Sequence, residues 1–214
     1  ILGFLGPIIY HLMYAVVTSK SKIITCQERL VKKKVNYDLV FPSELSNLWF
    51  QKNKEPLLDK PRLLYVGRIK VEKGIFSLLK ILKKSNLQIS IVGAEKMNNE
   101  INQKNVNVYE IEKNEKNLIK HYDDNNIFVL PSFTEGHPMA LLEALARQRP
   151  VIIFEEISHV INGKKGIFIA KRNYQSFSQQ VEYIMKNYNK IQSQMRNNKL
   201  PTKDNFLKEL SETI

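Results

Sequence analysis

The sequence predicts an α/β protein in which a parallel sheet is covered by helices on both faces. From about residue 62, short apolar segments alternate with segments whose apolar residues recur at helical spacing. The short segments are apolar throughout rather than at every second position, which is typical of strands buried on both faces of a sheet. Strands and helices that alternate in this way form parallel sheets.

The strands and helices of this region can be placed from the same pattern. Because ligands of parallel sheets bind at the carboxyl ends of the strands, we expect function in the loops that follow the strands. Helices are expected over residues 75–82, 118–122 and 177–188, and from residue 138 onward. The six expected strands are residues 62–67, 87–93, 105–111, 126–131, 150–155 and 165–170.

The start of the chain is unusually apolar. Residues 1–19 contain no Asp, Glu, Lys or Arg, and a membrane span needs about 20 apolar residues. Gly6, Pro7 and His11 interrupt this stretch, however. We therefore expect a helix over about residues 7–19 that is buried in the interior of a domain.

Four parts of the chain follow from these patterns. A strand over 22–26 and a helix over 28–35 complete an amino-terminal unit too small to fold alone, so the chain is expected to begin inside a larger protein. Three prolines and little periodicity then indicate a linker. Near the end, the pattern breaks at Pro201 and a short helix follows, with Thr202 or Asp204 as its cap. The parts are residues 1–41, a remnant of an amino-terminal domain; 42–61, an interdomain linker; 62–200, the α/β domain; and 201–214, the last helix.

Composition and charge narrow the classes of function. The chain has 214 residues and a formal net charge of +12. The charge comes mostly from lysines spread along the predicted helices, so we expect no nucleic-acid binding; attraction to phosphates or to an anionic membrane explains it equally well. The single cysteine, Cys26, allows no internal disulfide. The four histidines are scattered, and no metal site is expected.

Two cations lie between the first expected strand and the helix that follows it. Gly67 and Arg68 end the strand, and Lys73 and Gly74 open the helix. Gly67 allows a ligand to approach the backbone closely, while Arg68 and Lys73 offer a guanidinium fork and an ammonium charge. A helix N-terminus beside two cations favours an anion. This segment alone leaves a phosphate site and a solvated basic turn equally open.

A second group of polar residues surrounds the start of the helix near residue 138. Ser132 and Glu135 have the spacing of a capping box, but that helix would contain Pro138, and proline inside a helix costs about 3 kcal/mol. The helix is therefore expected to begin with Pro138 at its first position. Glu135 then lies in the preceding loop, and Glu143 lies about one and a half turns inside the helix, facing the same crevice.

The ligand expected at this helix combines an anion with hydroxyl groups. The free amides of Met139 and Ala140 at the helix N-terminus favour an anion. The carboxylates of Glu135 and Glu143 can accept hydrogen bonds from hydroxyls. A sugar nucleotide has both features.

The motifs at residues 67–74 and 128–146 resemble the donor-binding domain of the retaining glycosyltransferases of the GT-B fold, the group-1 or family 4 type. The resemblance covers about residues 60–200 and includes the Glu-x7-Glu motif of that family, here Glu135 and Glu143. It implies a Rossmann-like, doubly wound sheet. It also implies an amino-terminal, acceptor-binding domain, of which residues 1–41 would be the remnant, and a last helix that crosses the interdomain cleft.

The resemblance also implies a role for each site residue. Arg68 and Lys73 would contact the donor diphosphate. Glu135 would contact the donor sugar and Glu143 the ribose hydroxyls, and the implied catalytic residues are Glu135, Arg68 and Lys73. His159 stands near a position where the family often has an acid, which affects the expected sugar or base preference. The full implied donor site is Gly67, Arg68, Lys73, Glu135, Gly136, His137, Met139, Ala140, Leu141 and Glu143.

The implied function is retaining, metal-independent transfer of a hexose from a nucleotide-diphosphate sugar, UDP- or GDP-linked, to a glycan or lipid-linked acceptor. No cofactor besides the donor substrate is expected. The implied setting is cell-envelope polysaccharide synthesis in the cytoplasm, either free or associated with the inner face of the membrane. This chain alone is expected to be inactive. An epimerase or phosphorylase of the same fold and a nucleotide-sugar-binding module without catalysis stay open as alternatives.

Overall fold

The amino-terminal part folds into a helix and a two-stranded parallel sheet. A computed structural model describes residues 2–26, 31, 36–95, 101 and 103–214 of the protein. Helix α1 (Leu2–Lys20) precedes strand β1 (Ile23–Thr25), which pairs in parallel with strand β2 (Tyr37–Leu39). The sequence predicts β1, and it predicts α1 from about residue 7, whereas the helix begins at Leu2 and contains Pro7. It does not predict β2, because the segment Tyr37–Leu39 has a charged residue at its centre and forms no apolar run. The helix expected over 28–35 lies outside the described residues.

Helix α1 exposes its apolar side chains. Ile9 is 52% exposed, Leu12 63% and Met13 62%. The prediction that this helix is buried in a domain interior is therefore wrong for the described chain, because apolar composition does not determine what packs against a helix. Within the described residues, no helix combines the length and the apolarity that crossing a membrane requires.

The main sheet consists of six parallel strands, as the sequence predicts. Its strands are β3 (Arg62–Val66), β4 (Gln88–Ala94), β5 (Val106–Glu110), β6 (Ile127–Leu130), β7 (Val151–Phe154) and β8 (Ile167–Ala170). They are arranged in the order β5-β4-β3-β6-β7-β8, and every pairing is parallel. The inner strands β6 and β7 are buried at every residue, whereas the edge strand β5 is not. The strand order reverses between β3 and β6, which is the point where such sheets bind ligands.

Helices flank this sheet, and in the described part of the chain three of them begin at a polar cap. The side chains of Asn114, Asn173 and Thr202 each accept a backbone N–H bond at the start of a helix. Thr202 was one of the two predicted caps. The single helix expected over 177–188 ends at Asn187, where the chain restarts as a second helix. The helices are α2 (Ile75–Leu82), α3 (Glu115–Asp124), α4 (Met139–Ala146), α5 (Tyr174–Lys186), α6 (Tyr188–Met195) and α7 (Lys203–Thr213).

The segment expected to be a linker packs closely on the domain. It contains a short 3-10 helix, Asn47–Phe50, in which Trp49 is only 2% exposed. The Trp49 ring lies edge-on to the Tyr122 ring of α3, with 5.4 Å between their centroids. At its start, the Ser43 hydroxyl donates to the Pro201 carbonyl at 2.7 Å. This segment is therefore anchored both to α3 and to the residues before α7.

A buried cluster of charges holds the same segment to α3 and α4. Arg147, just after α4, donates through Nε and Nη2 to the two carboxylate oxygens of Asp123, at 2.9 Å each. Its Nη1 donates to the carbonyls of Trp49 and Gln51 at 3.0 and 2.8 Å. Arg149 contacts Asp123 at 3.4 Å and donates to the Lys54 carbonyl at 2.6 Å. Both guanidinium groups are therefore satisfied although their side chains are only 1% exposed.

Candidate functional site

The predicted site residues lie in loops after β3 and β6, which are neighbours in the sheet. Gly67 and Arg68 follow β3, and Glu135 lies between β6 and α4. Carboxyl ends of adjacent parallel strands lie at one edge of a sheet, so the two loops meet. The contacts between them decide what this edge can bind.

The Gly67–Arg68 turn presents an exposed guanidinium. Gly67 has φ +153°, and its amide donates to the Val92 carbonyl of the next strand at 2.9 Å. The hydroxyl of Tyr65, a buried residue of β3, donates to the Arg68 carbonyl at 2.7 Å and so ties the turn to the strand. The Arg68 side chain is exposed, and it makes no hydrogen bond or ion pair in the described part of the chain. Its donors are therefore available to an anion.

Lys73 and Glu135, which the sequence places in different loops, form an ion pair. The Nζ of Lys73 lies 2.7 Å from Oε1 of Glu135, and the two side chains are 24% and 9% exposed. The Ser132 hydroxyl also donates to Oε1 of Glu135, at 2.6 Å. No helix begins there, so these two residues form no capping box, in agreement with the prediction. Glu135 is thus held as a mostly buried carboxylate.

The loops that carry Lys73 and Glu135 are in backbone contact. The amide of Phe133 donates to the Glu72 carbonyl at 3.0 Å. Gly74 has φ +67°, and a Cβ there would lie 1.8 Å from the Pro131 carbonyl oxygen. Only glycine allows this approach. Gly74, singled out at first as part of a phosphate turn, is thus also the point where the two loops pack together.

Helix α4 begins one residue later than predicted. Pro138 is its N-cap, with φ −75° and ψ 110°, and Met139 is the first helical residue. The fixed φ of proline suits either position, and its extended ψ makes it the cap. Within the described residues, the amides of Met139 and Ala140 donate to no acceptor. They remain available at the positive end of the helix dipole, as the sequence predicts.

Glu143 is held by α3 rather than by the Lys73 loop. The Tyr122 hydroxyl donates to Oε2 of Glu143 at 2.7 Å and lies 3.3 Å from the Ala140 carbonyl. Burial raises the pKa of Glu143, while the Tyr122 hydrogen bond lowers it and the charge of Glu115 raises it. The helical pattern identifies Tyr122 as a core residue, but nothing in the sequence indicates that its hydroxyl binds this carboxylate.

Replacing Glu143 with glutamine is expected to stabilise the unliganded protein at neutral pH. The pKa of Glu143 is raised above its ordinary value of 4.5, with burial as the largest cause. The folded state therefore binds a proton more readily than the unfolded state, and stability falls as the pH rises above 4.5. Glutamine carries no charge and keeps an oxygen that can accept from Tyr122.

The measurement is the thermal unfolding midpoint of both proteins as a function of pH. The gain from Glu143→Gln should be small at about pH 4 and should grow as the pH rises through the raised pKa. Glu182 is exposed on α5, so Glu182→Gln is the matched control and should show no such trend. A gain of the same size at every pH would contradict the burial argument.

Three predicted residues line a cavity beside the Glu135 loop. This cavity has a volume of about 280 Å³, and its lining includes Gly136, His137 and Leu141. His159, which also lines it, makes a 2.8 Å hydrogen bond through Nε2 to the Glu135 carbonyl. Burial lowers the pKa of His137, whose Nε2 lies 2.8 Å from the Pro42 carbonyl. Arg68, Lys73, Glu135 and Glu143 do not line this cavity.

The described residues contain no group of three or more His, Cys, Asp or Glu side chains that could hold a metal ion. The adjacent acids Asp123 and Asp124 are the last two residues of α3. Asp123 binds the two buried arginines, and Asp124 lies 2.8 Å from the Nζ of Lys54. Both carboxylates are therefore used in ion pairs.

Comparisons with known proteins give matches to a sequence family and to solved structures. A family model described as "Glycosyl transferases group 1" matches residues 48–200. The capsular polysaccharide biosynthesis glycosyltransferase CapM of Staphylococcus aureus is 29% identical in an alignment of 136 residues that covers 56% of this chain and 36% of that protein. The chain thus spans about a third of the length of this curated relative.

Solved structures show the same fold at low sequence identity. Sucrose-phosphate synthase from Thermosynechococcus elongatus superposes with a TM-score of 0.70 at 16% identity, covering 92% of this chain and 58% of that one. HepE from Anabaena, solved in complex with UDP-glucose, superposes with a TM-score of 0.69 at 10% identity, covering 93% of this chain and 65% of that one. These likenesses identify the fold as that of GT-B glycosyltransferase domains.

Proposed function

The chain belongs to the group-1 glycosyltransferases, and on that premise we propose that it binds a nucleotide-diphosphate sugar for retaining, metal-independent transfer of a hexose. One observation carries the proposal, which is the 2.7 Å ion pair between Lys73 and Glu135. It joins a cation suited to a diphosphate and a carboxylate suited to sugar hydroxyls at one edge of the sheet. Arg68 lies in the same loop as Lys73, with its donors exposed.

The cations and helix amides are proposed to stabilise the leaving group. When the bond between the anomeric carbon and the diphosphate oxygen breaks, its electron pair stays on that oxygen and negative charge grows there. Arg68, Lys73 and the amides of Met139 and Ala140 would donate to this charge, and such fixed donors stabilise it most where water is excluded. This chain's own residues thus suffice, in the proposal, for departure without a metal.

The two glutamates are proposed to hold the hydroxyls of the donor. Glu135 would accept from the sugar and Glu143 from the ribose. A carboxylate can accept about four hydrogen bonds, so Glu135 can bind a hydroxyl while Lys73 stays in contact with it. Glu143 would bind the ribose from the side of α4 that faces Tyr122.

The acceptor and the setting are parts of the same proposal. CapM is named for capsular polysaccharide biosynthesis, which supports a glycan or lipid-linked acceptor and a role in cell-envelope polysaccharide synthesis in the cytoplasm. The structural neighbour solved with UDP-glucose supports a UDP-linked donor, with a GDP-linked donor as the alternative. Family 4 classification and retention of configuration rest on the Glu-x7-Glu motif, here Glu135 and Glu143.

The proposal predicts that a sugar nucleotide stabilises this chain and that Arg68→Ala weakens the binding. A ligand at a hundred times its dissociation constant stabilises a protein by about 2.7 kcal/mol. Losing one charge-assisted hydrogen bond should cost roughly 1.5–3 kcal/mol, or about ten- to a hundredfold in affinity. The measurement is thermal unfolding against UDP-, GDP-, ADP- and CDP-linked sugars, followed by titration with the best of them.

Lys80→Ala is the matched control, because Lys80 carries the same charge at the far end of α2 and is exposed. The affinity of the Lys80→Ala variant for the sugar nucleotide should equal that of the unmodified protein. If no sugar nucleotide stabilises the chain, or if Arg68→Ala and Lys80→Ala behave alike, the proposed site is wrong. In a longer protein that carries an acceptor-binding domain together with these residues, the anomeric configuration of the transferred sugar, read by NMR, then tests retention. Release of free sugar or dependence on phosphate would instead favour an epimerase or a phosphorylase.

A further inference from the structure

We infer that Arg172 is a positioning residue that fixes the loop bearing Glu135 and thereby sets the affinity for the sugar part of the donor. This inference rests on the proposed function and deepens it. Arg172 lies between β8 and α5, and the sequence patterns do not single it out. It binds backbone carbonyls of the Glu135 loop, those of Pro131 and Ser132, so it would act through the loop.

The guanidinium of Arg172 joins two loops. Its Nη1 donates to the Pro131 carbonyl at 2.9 Å, and its Nη2 lies 3.4 Å from the Ser132 carbonyl. On the other side it forms a two-point pair with Glu156, which follows β7, with Nε–Oε1 at 2.8 Å and Nη2–Oε2 at 3.0 Å. This hydrogen bonding lowers the pKa of Glu156. A two-point pair fixes the plane of the guanidinium and so aims the remaining donors at the loop.

Two aromatic rings hold the same guanidinium plane. The Arg172 Cζ lies 4.1 Å from the centre of the Phe133 ring and 4.3 Å from that of the Phe154 ring. Phe133 belongs to the Glu135 loop, whereas Phe154 ends β7, which is buried at every residue. The stacking therefore ties the loop to a rigid strand. A lysine could supply the charge but neither the fork nor the planar stacking.

The turn that carries Lys73 contacts the same peptide group. Gly74 packs against the Pro131 carbonyl that Arg172 binds, and a Cβ on Gly74 would lie 3.2 Å from Nη1 of Arg172. The Lys73 turn and Arg172 therefore lie side by side against one carbonyl of the loop. His159 fixes the Glu135 carbonyl itself. The position of the Glu135 carboxylate thus depends on contacts that reach the loop from β7 and from the segment after β8.

This arrangement separates the two halves of the donor. Arg68 and Lys73, two of the groups that the proposal assigns to the diphosphate, lie in the loop after β3, whereas Arg172 holds the residues directly after β6. The other two groups, the amides of Met139 and Ala140, belong to the start of α4, beyond the residues that Arg172 contacts. Losing Arg172 should loosen Glu135 and weaken the sugar contact, while the diphosphate contacts stay. A residue with a purely structural role would lower the unfolding midpoint without changing how the protein discriminates between a sugar nucleotide and its nucleoside diphosphate.

The test compares dissociation constants by calorimetry for UDP-glucose against UDP and for GDP-mannose against GDP, using Arg172→Met, Arg172→Lys and Glu156→Gln. For the pair that the unmodified protein binds, Arg172→Met should weaken the sugar nucleotide about tenfold more than the nucleoside diphosphate, which corresponds to about 1.4 kcal/mol. Arg172→Lys should lose the same part of the preference for the sugar nucleotide, because lysine restores the charge but not the planar fork. Glu156→Gln should also weaken the sugar nucleotide more than the nucleoside diphosphate, but by a smaller factor. This variant tests the inference if Arg172→Met does not fold.

Arg196→Met is the matched control, because Arg196 is exposed at the end of α6; its two dissociation constants should be unchanged. The inference is overturned if Arg172→Met or Glu156→Gln weakens both ligands of a pair by the same factor, or weakens neither. If the unmodified chain binds none of the four ligands, the proposed function fails and this inference fails with it. Binding by the unmodified protein distinguishes the two cases: no binding contradicts the proposed function, whereas binding without the expected change in the variants contradicts only this inference.

Discussion

Replacing Gly74 with alanine is expected to destabilise the protein by roughly 3 kcal/mol more than an alanine at an unobstructed glycine. The added Cβ would lie 1.8 Å from the Pro131 carbonyl oxygen and 2.7 Å from its carbon. Both are backbone atoms, which cannot rotate away as a flexible side chain could. Relief therefore requires the Lys73 turn and the Glu135 loop to move apart, and binding of a sugar nucleotide should be lost together with stability.

Gly163 supplies the control for this substitution. Its φ is +71°, close to the +67° of Gly74, but a Cβ there would have nothing within 4 Å. Both alanine variants thus share the cost of a left-handed conformation, about 1–2 kcal/mol. The difference between their free energies of unfolding, measured by denaturant titration, isolates the contact with Pro131. Equal losses in the two variants would show that the loops are not packed as described.

Replacing Asp123 with alanine is expected to cost about 3–5 kcal/mol of stability. The Asp123 carboxylate pairs with Arg147 and Arg149, whose side chains are each only 1% exposed. Removing it leaves two guanidinium charges without a counter-ion in the interior. These arginines also donate to carbonyls of the segment that contains Trp49, so this segment should become susceptible to proteolysis as the cluster is disrupted.

The neighbouring residue provides the comparison. Asp124→Ala removes a surface ion pair with Lys54, whose members are 46% and 57% exposed, and exposed pairs contribute only about 0–1 kcal/mol. Both aspartates lie in the last turn of α3, so helix-dipole effects are similar for the two variants. The free energies of unfolding should therefore differ by several kcal/mol. A similar small loss in both variants would mean that the buried cluster contributes little.

The strands of the sheet and the start of α4 could be predicted from interactions between residues close in sequence. The inner strands β6 and β7 could be placed because segments that are apolar at every position are typical of the middle of a parallel sheet. The loop position of Glu135 followed from Pro138, since a proline at that point of a helix interior would remove a backbone hydrogen bond and cost about 3 kcal/mol. Both arguments involve neighbouring residues, and the six strands and the start of α4 agree with them to within a few residues.

The contacts within the site were decided by the tertiary structure. Lys73 and Glu135 are 62 residues apart, and only the adjacency of β3 and β6 brings them to 2.7 Å. The same holds for Arg172 and Pro131, separated by 41 residues, and for the Tyr122 hydroxyl on Glu143. No periodicity encodes which polar group a distant side chain will meet.

The exposed helix α1 and the buried Trp49 show that the sequence also does not encode what packs against an apolar residue. The sequence predicts a buried helix and an interdomain linker, whereas in the described chain Leu12 is 63% exposed and Trp49, within the linker segment, is only 2% exposed. A hydrophobic pattern indicates which side chains favour burial. It does not indicate which other part of the chain packs against them. The sequence by itself thus determined the elements and the identity of the charged residues. Packing between elements distant in sequence determined which of those residues meet, because burial and hydrogen-bond partners depend on the position of every layer at once.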